Sequence, residues 1–159
     1  MGNETRECCG WHRRIDTIQQ RFEVLTEFNS EAVLDHETGL VWERQPASQF
    51  VAWPNARLMC ARKAVGGRGG WRLPAFDELA TLIDPAVAVG PCLPVGHPFL
   101  NVQAGDYWTA TVFSNQPGFT MAVSFQFNPG EVGVSDANIN GAPKHAWAVR
   151  GGSAGPSSY

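Results

Sequence analysis

Apolar residues recur along this chain with two different periods, and the changes of period mark its elements. A lead-in over Ile15 to Leu25 starts in a helical pattern; Phe22 and Val24, then Ala32 to Leu34, read as short strands on either side of the polar break Asn29-Ser30. His36-Glu37-Thr38-Gly39 is a turn by its polar run and its glycine, and Leu40-Val41-Trp42-Glu43 resumes the extended pattern. This predicts a hairpin, or two strands joined by a loop. Trp53, Ala56, Cys60 and Ala64 then fall close to helical spacing, and Pro54, lacking an amide hydrogen, fits only a first turn. A first helix therefore starts near Pro54 and ends before Gly66-Gly67-Arg68-Gly69-Gly70, where glycines make helical backbone costly. In a second helix, Phe76, Leu79, Ala80 and Ile83 form one face, Asp77 and Glu78 suit the positively polarised first turn, and Asp84-Pro85 is the stop.

Pro85 to Gly105 has little periodicity and reads as a long connection containing an ordered loop over Pro91 to Phe99. Strands follow at Tyr107 to Val112 and at Thr120 to Phe127, where Met121, Val123, Phe125 and Phe127 alternate against Ala122, Ser124 and Gln126. Asn128-Pro129-Gly130 is a turn into Glu131 to Ser135, and Ala146 to Arg150 closes the core. The C-terminal half is expected to be an antiparallel meander. Domain organisation follows as a partly flexible lead-in over 1–20, a single domain over 21–152 and a flexible tail over 153–159.

The 159 residues suffice for one core, and 43% hydrophobic with 17% charged residues is the balance of an ordinary globule. A net charge of -3 with no basic run excludes nucleic acid as the expected partner. No apolar run approaches the roughly 18 residues of a membrane span. Met1 to Arg14 lacks an apolar stretch and a cleavage site, which predicts a cytoplasmic protein as written, or a secreted one if the chain is a mature fragment. Cys8, Cys9 and His12 are too few for a metal site of recognisable spacing, so no metal or cofactor is expected. Cys60 reads as a small buried hydrophobe; a bridge from it to Cys92 requires an oxidising compartment.

The densest motif is Gly70-Trp71-Arg72-Leu73-Pro74, echoed by Trp147-Ala148-Val149-Arg150-Gly151-Gly152. Guanidinium groups match sulfate and carboxylate, which makes Arg72 and Arg150 tempting anion ligands. A structural role has the stronger claim: an arginine between Trp71 and Leu73 is expected against a carboxylate such as Glu78 or Asp35. Trp42, Trp53, Trp71, Trp108 and Trp147 read as core. The expected framework is Trp42, Trp71, Arg72, Glu78, Trp108, Trp147 and Arg150.

Taken in order, Val33-Leu34-Asp35, Thr38-Gly39-Leu40-Val41-Trp42, Trp53 with Ala56 and Cys60, Gly70 to Pro74 with Glu78-Leu79, Tyr107-Trp108-Thr109-Ala110-Thr111 and Trp147 to Gly152 resemble the bacterial Lcl C-terminal domain family, long described only as a domain of unknown function. The resemblance covers roughly Phe22 to Gly152. It implies an α+β, C-type-lectin-like fold related to the formylglycine-generating and sulfatase-modifying domains, with two helices packed on small twisted antiparallel β-sheets. The family often carries a cysteine just before the terminal Val-Arg-Gly-Gly; this chain has Ala148 there, so a family-type disulfide to Cys60 cannot form.

The chemistry of the catalytic relatives finds no footing. No cysteine follows Cys92 to supply a reactive pair, and none of His12, His36, His97 or His145 stands in a His-x-x-x-His-x-Glu run. Ser124, His145 and Asp136 assemble a triad only on paper, without a nucleophile elbow. Adjacent Asp77 and Glu78 point apart on a helix. Gln116-Pro117-Gly118 lacks the carboxylate of a lectin calcium motif. The loops Val112 to Phe119 and Ser135 to Lys144 hold Asn115, Gln116, Asn138 and Asn140, whose amides suit hydroxyl groups. The leading expectation is a non-catalytic binding module for a glycan or a protein surface. The alternatives are a diverged sulfatase-modifying-like enzyme or accessory, and the variable binding protein of a diversity-generating retroelement.

Overall fold

The computed structural model describes residues 17–87, 90–113, 115–125, 133–138 and 140–152, with backbone alone for 133–137. The architecture is α+β. Helix α1 (Ile18–Arg21) leads into β1 (Phe22–Val24), which is followed by β2 (Ala32–Asp35), β3 (Leu40–Glu43), α2 (Trp53–Ala61), α3 (Phe76–Ala80), β4 (Asp106–Val112), β5 (Phe119–Ser124), β6 (Gly133–Asn138) and β7 (Val149–Gly151). Two antiparallel sheets result, ordered β1-β2-β3-β7 and β4-β5-β6.

Period-two alternation sorts the apolar side chains between two cores rather than between a core and water. On β4, Tyr107 enters the first core and Trp108 the second; on β5, Val123 and Ala122 divide the same way. Val33, Trp42 and Trp147 join Tyr107, while Ala32, Ala146 and Ala148 join Trp108. A strand buried on both faces reads as a near-continuous apolar run, which is how Met121-Ala122-Val123 stands in the sequence. The predicted polar face of β5 is thereby corrected: Ala122 and Thr120 are fully buried.

Helix α2 covers the second core with Trp53, Ala56 and Cys60. Leu79 of α3 and Leu82 of the turn after it, with Leu93 and Phe99 from the long connection, cover the first. No helix or strand occurs among the described residues of Pro85 to Gly105, as the composition predicts.

Four further boundaries differ from the sequence pattern. Helix α3 stops at Ala80 instead of reaching Ile83: the Leu82 and Ile83 amides bond three residues back, to Leu79 and Ala80, and the Thr81 hydroxyl donates to the Glu78 carbonyl. That local bond favours the tighter turn and buries Leu82. The β5 ladder ends at Ser124, because the Phe125 amide turns to the Gly105 carbonyl; Gln126, Phe127 and the predicted turn at 128–130 lie outside the described residues. Strand β6 extends to Asn138, so Ser135 to Asn138 are strand and not loop. The expected meander also loses its last member. His145 still bonds Asp106 and Trp108 beside β4, but the Ala148 carbonyl accepts from Glu43 and Val149 pairs with Trp42, so this short segment ties the second sheet to the first.

Candidate functional site

The two echoing motifs pair directly. Arg72 and Val149 exchange backbone hydrogen bonds of 2.9 Å in each direction. Two residues on, the Pro74 carbonyl accepts from Ala110 at the bulge of β4, so the turn joins both sheets. The Arg72 guanidinium forks onto Glu78 at 2.7 and 2.8 Å and donates to the Gly151 carbonyl at 2.9 Å. Glu78 also accepts from the Ala75 amide at 2.8 Å, closing the first turn of α3. Burial alone raises the Glu78 pKa, but the bonds from Arg72 and Ala75 and the Arg72 charge outweigh it and hold the carboxyl below its ordinary range. The alternative partner, Asp35, is excluded: its carboxylate takes Arg21 at 3.0 Å on both oxygens.

The tryptophans expected in the core are there: Trp42, Trp108 and Trp147 are fully buried, with Trp53 and Trp71 nearly so. Four of the five indole nitrogens hold carbonyls, Trp147 to Glu43, Trp108 to Val51, Trp71 to Arg68 and Trp53 to Thr109. Trp42 instead sets its ring edge-on to Trp147 at 5.7 Å, and its Nε1 has no hydrogen-bond partner among the described residues. Arg150, the other arginine of the framework, has no carboxylate partner among the described residues; its guanidinium lies over Phe28 at 5.5 Å.

One polar feature escaped the sequence pattern. Glu43, buried at the end of β3, pairs with Lys63 just beyond α2. Burial raises its pKa against the pull of Lys63. The signal was a carboxylate closing the apolar run Leu40-Val41-Trp42. Cys60 lies close enough to feel the Glu43 charge, and burial together with that charge pushes its thiol up to about 12. It shares the second core with Ala148 and is not bonded to Cys92. Cys8, Cys9 and His12 lie outside the described residues.

Asn115, Gln116, Asn138 and Asn140 are all exposed. The first two occupy the β4–β5 turn, which the Gln116 amide and carbonyl close onto Phe113 and Phe119. Phe119 pairs in register with Asn138, the last residue of β6, so the two turns come to the same end of the second sheet. The Asn138 side-chain oxygen accepts from the Asn140 amide at 2.9 Å, which fixes the second turn.

Other constellations do not converge. Ser124 faces Gly133 across the ladder, whereas Asp136 pairs with Met121, three residues or ~10 Å along β6. His145 is buried between Phe50, at 4.3 Å, and Tyr107, at 5.1 Å. Burial lowers its pKa, and its Nδ1 has no hydrogen-bond partner among the described residues. A cavity of about 320 Å³ opens beside α1, lined by Thr17, Arg21, Glu37 and Asp84 among others. Its arginine is already held by Asp35, Glu37 and the Thr81 carbonyl. Among the described residues no three His, Cys, Asp or Glu side chains group as metal ligands, and no described helix is long and apolar enough to cross a membrane.

No curated protein matches the chain. The Lcl C-terminal domain matches residues 31–150, a span that runs from the β2–β3 hairpin to the Arg150 of β7 and contains the Arg72–Glu78 junction. With three quarters of its length inside that match, the chain belongs to the Lcl C-terminal domain family.

Proposed function

We propose that the domain is a non-catalytic binding module whose ligand surface is the end of the second sheet that carries Asn115, Gln116, Asn138 and Asn140. The supporting observation is that the Phe119–Asn138 pairing brings two polar turns from different parts of the chain side by side. Exposed amides on turns anchored to a rigid sheet suit the hydroxyl groups of a glycan, each amide offering a donor pair and an acceptor. The motifs that looked chemically loaded are engaged in the framework, Arg72 with Glu78 and the tryptophans with backbone carbonyls. The C-type-lectin-like fold that the sequence resemblance implies adds to the reading.

An array of immobilised glycans probed with the purified domain tests it. Retention by a defined subset, lost in an Asn115→Ala/Gln116→Ala variant of unchanged melting temperature, is the expected result. Retention of none, or turnover in hydrolase and oxidase screens, overturns the proposal.

A further inference from the structure

Arg68, in the glycine-rich stretch after α2, and Arg150 of β7 both stand against the ring of Phe28. The Arg68 guanidinium lies 4.3 Å from the centre of the Phe28 ring, and that of Arg150 lies 5.5 Å from it. Among the described residues no carboxylate reaches ion-pair distance of either arginine. Among the described residues the Arg68 side chain donates only to a backbone carbonyl, that of Glu27 at 3.3 Å, and the Arg150 side chain makes no hydrogen bond, its Nη1 being buried without a partner. Glu31, the acidic side chain fixed on this stretch, is turned to the Gly66 amide at 2.8 Å.

Sharing the ring keeps the two guanidinium carbons within about 10 Å of each other, a separation at which like charges repel weakly through water and an anion near both is favoured. Cation–π contact offsets part of that cost but supplies no hydrogen-bond acceptor to the guanidinium nitrogens. Beside them, the backbone amides of Gly69 and Gly70 donate to no group among the described residues. Gly70, at φ +89, brings its backbone close enough that an added Cβ would lie 3.5 Å from Arg150 Nε. Two guanidinium groups and adjacent unpaired amides are the donor set that recurs around oxyanions.

We propose that Arg68 and Arg150, with the amides of Gly69 and Gly70, form a binding site for an oxyanion, the carboxylate or phosphate group of a ligand. The arginine pair recovers for Arg150 the anion role that the structure denies to Arg72, whose fork is filled by Glu78. The site stands independently of the amide turns on the second sheet, so either can fail without the other.

The test is a titration of the 15N-labelled full chain with inorganic phosphate and, separately, with acetate, at constant ionic strength in chloride. The expected result is a saturable shift of the Arg68 and Arg150 Nε–Hε signals and the Gly69 and Gly70 amides, with a dissociation constant on the order of millimolar. The anion that saturates at lower concentration identifies the source, phosphate or carboxylate. Arg68 is exposed and touches the core only by capping the Phe28 ring, so Arg68→Ala should fold and weaken binding at least threefold, with Arg68→Lys between the two. Shifts that fail to saturate, that appear equally at the exposed Arg57 and Arg62, or that persist unchanged in Arg68→Ala overturn the proposal.

Discussion

Arg72 and Glu78 meet fork to fork at 2.7 and 2.8 Å, and the same carboxylate caps α3 through the Ala75 amide. This one contact links β7, the Arg-Leu-Pro turn and the helix start. Arg72→Ala leaves Glu78 without its cation and the Gly151 carbonyl without its donor. Because the Arg72 side chain is 41% exposed, water recovers part of the loss, and the expected cost is about 1–2 kcal/mol. For a chain of this size that is a fall of roughly 3–6 °C in thermal melting. An unchanged melting temperature contradicts the structural role.

The Glu78 carboxyl is held below its ordinary value of 4.5 in the folded state, so its contribution is full above that value and disappears as pH falls through the folded pKa. The stability gap between the natural chain and Glu78→Gln should be widest near neutrality and close in acid. Glu43 has the opposite sign: its raised pKa makes the folded state hold a proton more tightly, so its contribution declines as pH climbs from 4.5. Urea unfolding of Glu78→Gln and Glu43→Gln across pH 3 to 7 reads both, and gaps that move in the same direction contradict the assignment.

Gly66 and Gly67 both have positive φ, at +64 and +74, but only Gly66 meets a neighbour. A Cβ there would lie 2.6 Å from Phe28 Cβ and 2.7 Å from Phe28 Cα, where backbone must move. Gly66→Ala is expected to cost about 2–4 kcal/mol, combining backbone strain with overpacking. Gly67→Ala, with nothing within 4 Å, should cost about 1 kcal/mol from strain alone. Equal effects in chemical denaturation contradict the packing account of this stretch.

The Cys60 thiol is fully buried, with its pKa pushed up to about 12, so almost no thiolate exists at pH 8. In a Cys8→Ser/Cys9→Ser/Cys92→Ser background, Cys60 should resist thiol reagents until denaturant is added. Rapid labelling of the native chain would place Cys60 at the surface.

The elements were legible wherever one period ruled. Pro54 marked the start of α2, and Leu40 to Glu43 emerged as β3. An arginine flanked by apolar residues signalled a carboxylate partner and left Glu78 and Asp35 open; the structure selects Glu78. What the pattern could not resolve was tertiary. Whether Ala122 faces water or a second core depends on Trp108, fourteen residues earlier in the chain and its partner in the ladder. That the last strand leaves β4 for β3 depends on long-range hydrogen bonds at Glu43 and His145 that no local window contains. The candidate amides were visible as turn residues, but their convergence rests on the Phe119–Asn138 register, which extends β6 beyond the predicted loop boundary.

The most direct test of the central claim compares Arg72→Ala with Asn115→Ala/Gln116→Ala in one glycan-array experiment, with melting temperatures measured on the same preparations. The account predicts that the arginine variant melts lower and keeps the natural chain's binding pattern when assayed well below its transition, while the turn variant melts as the natural chain does and loses that pattern. Binding lost in the arginine variant but intact in the turn variant would contradict it.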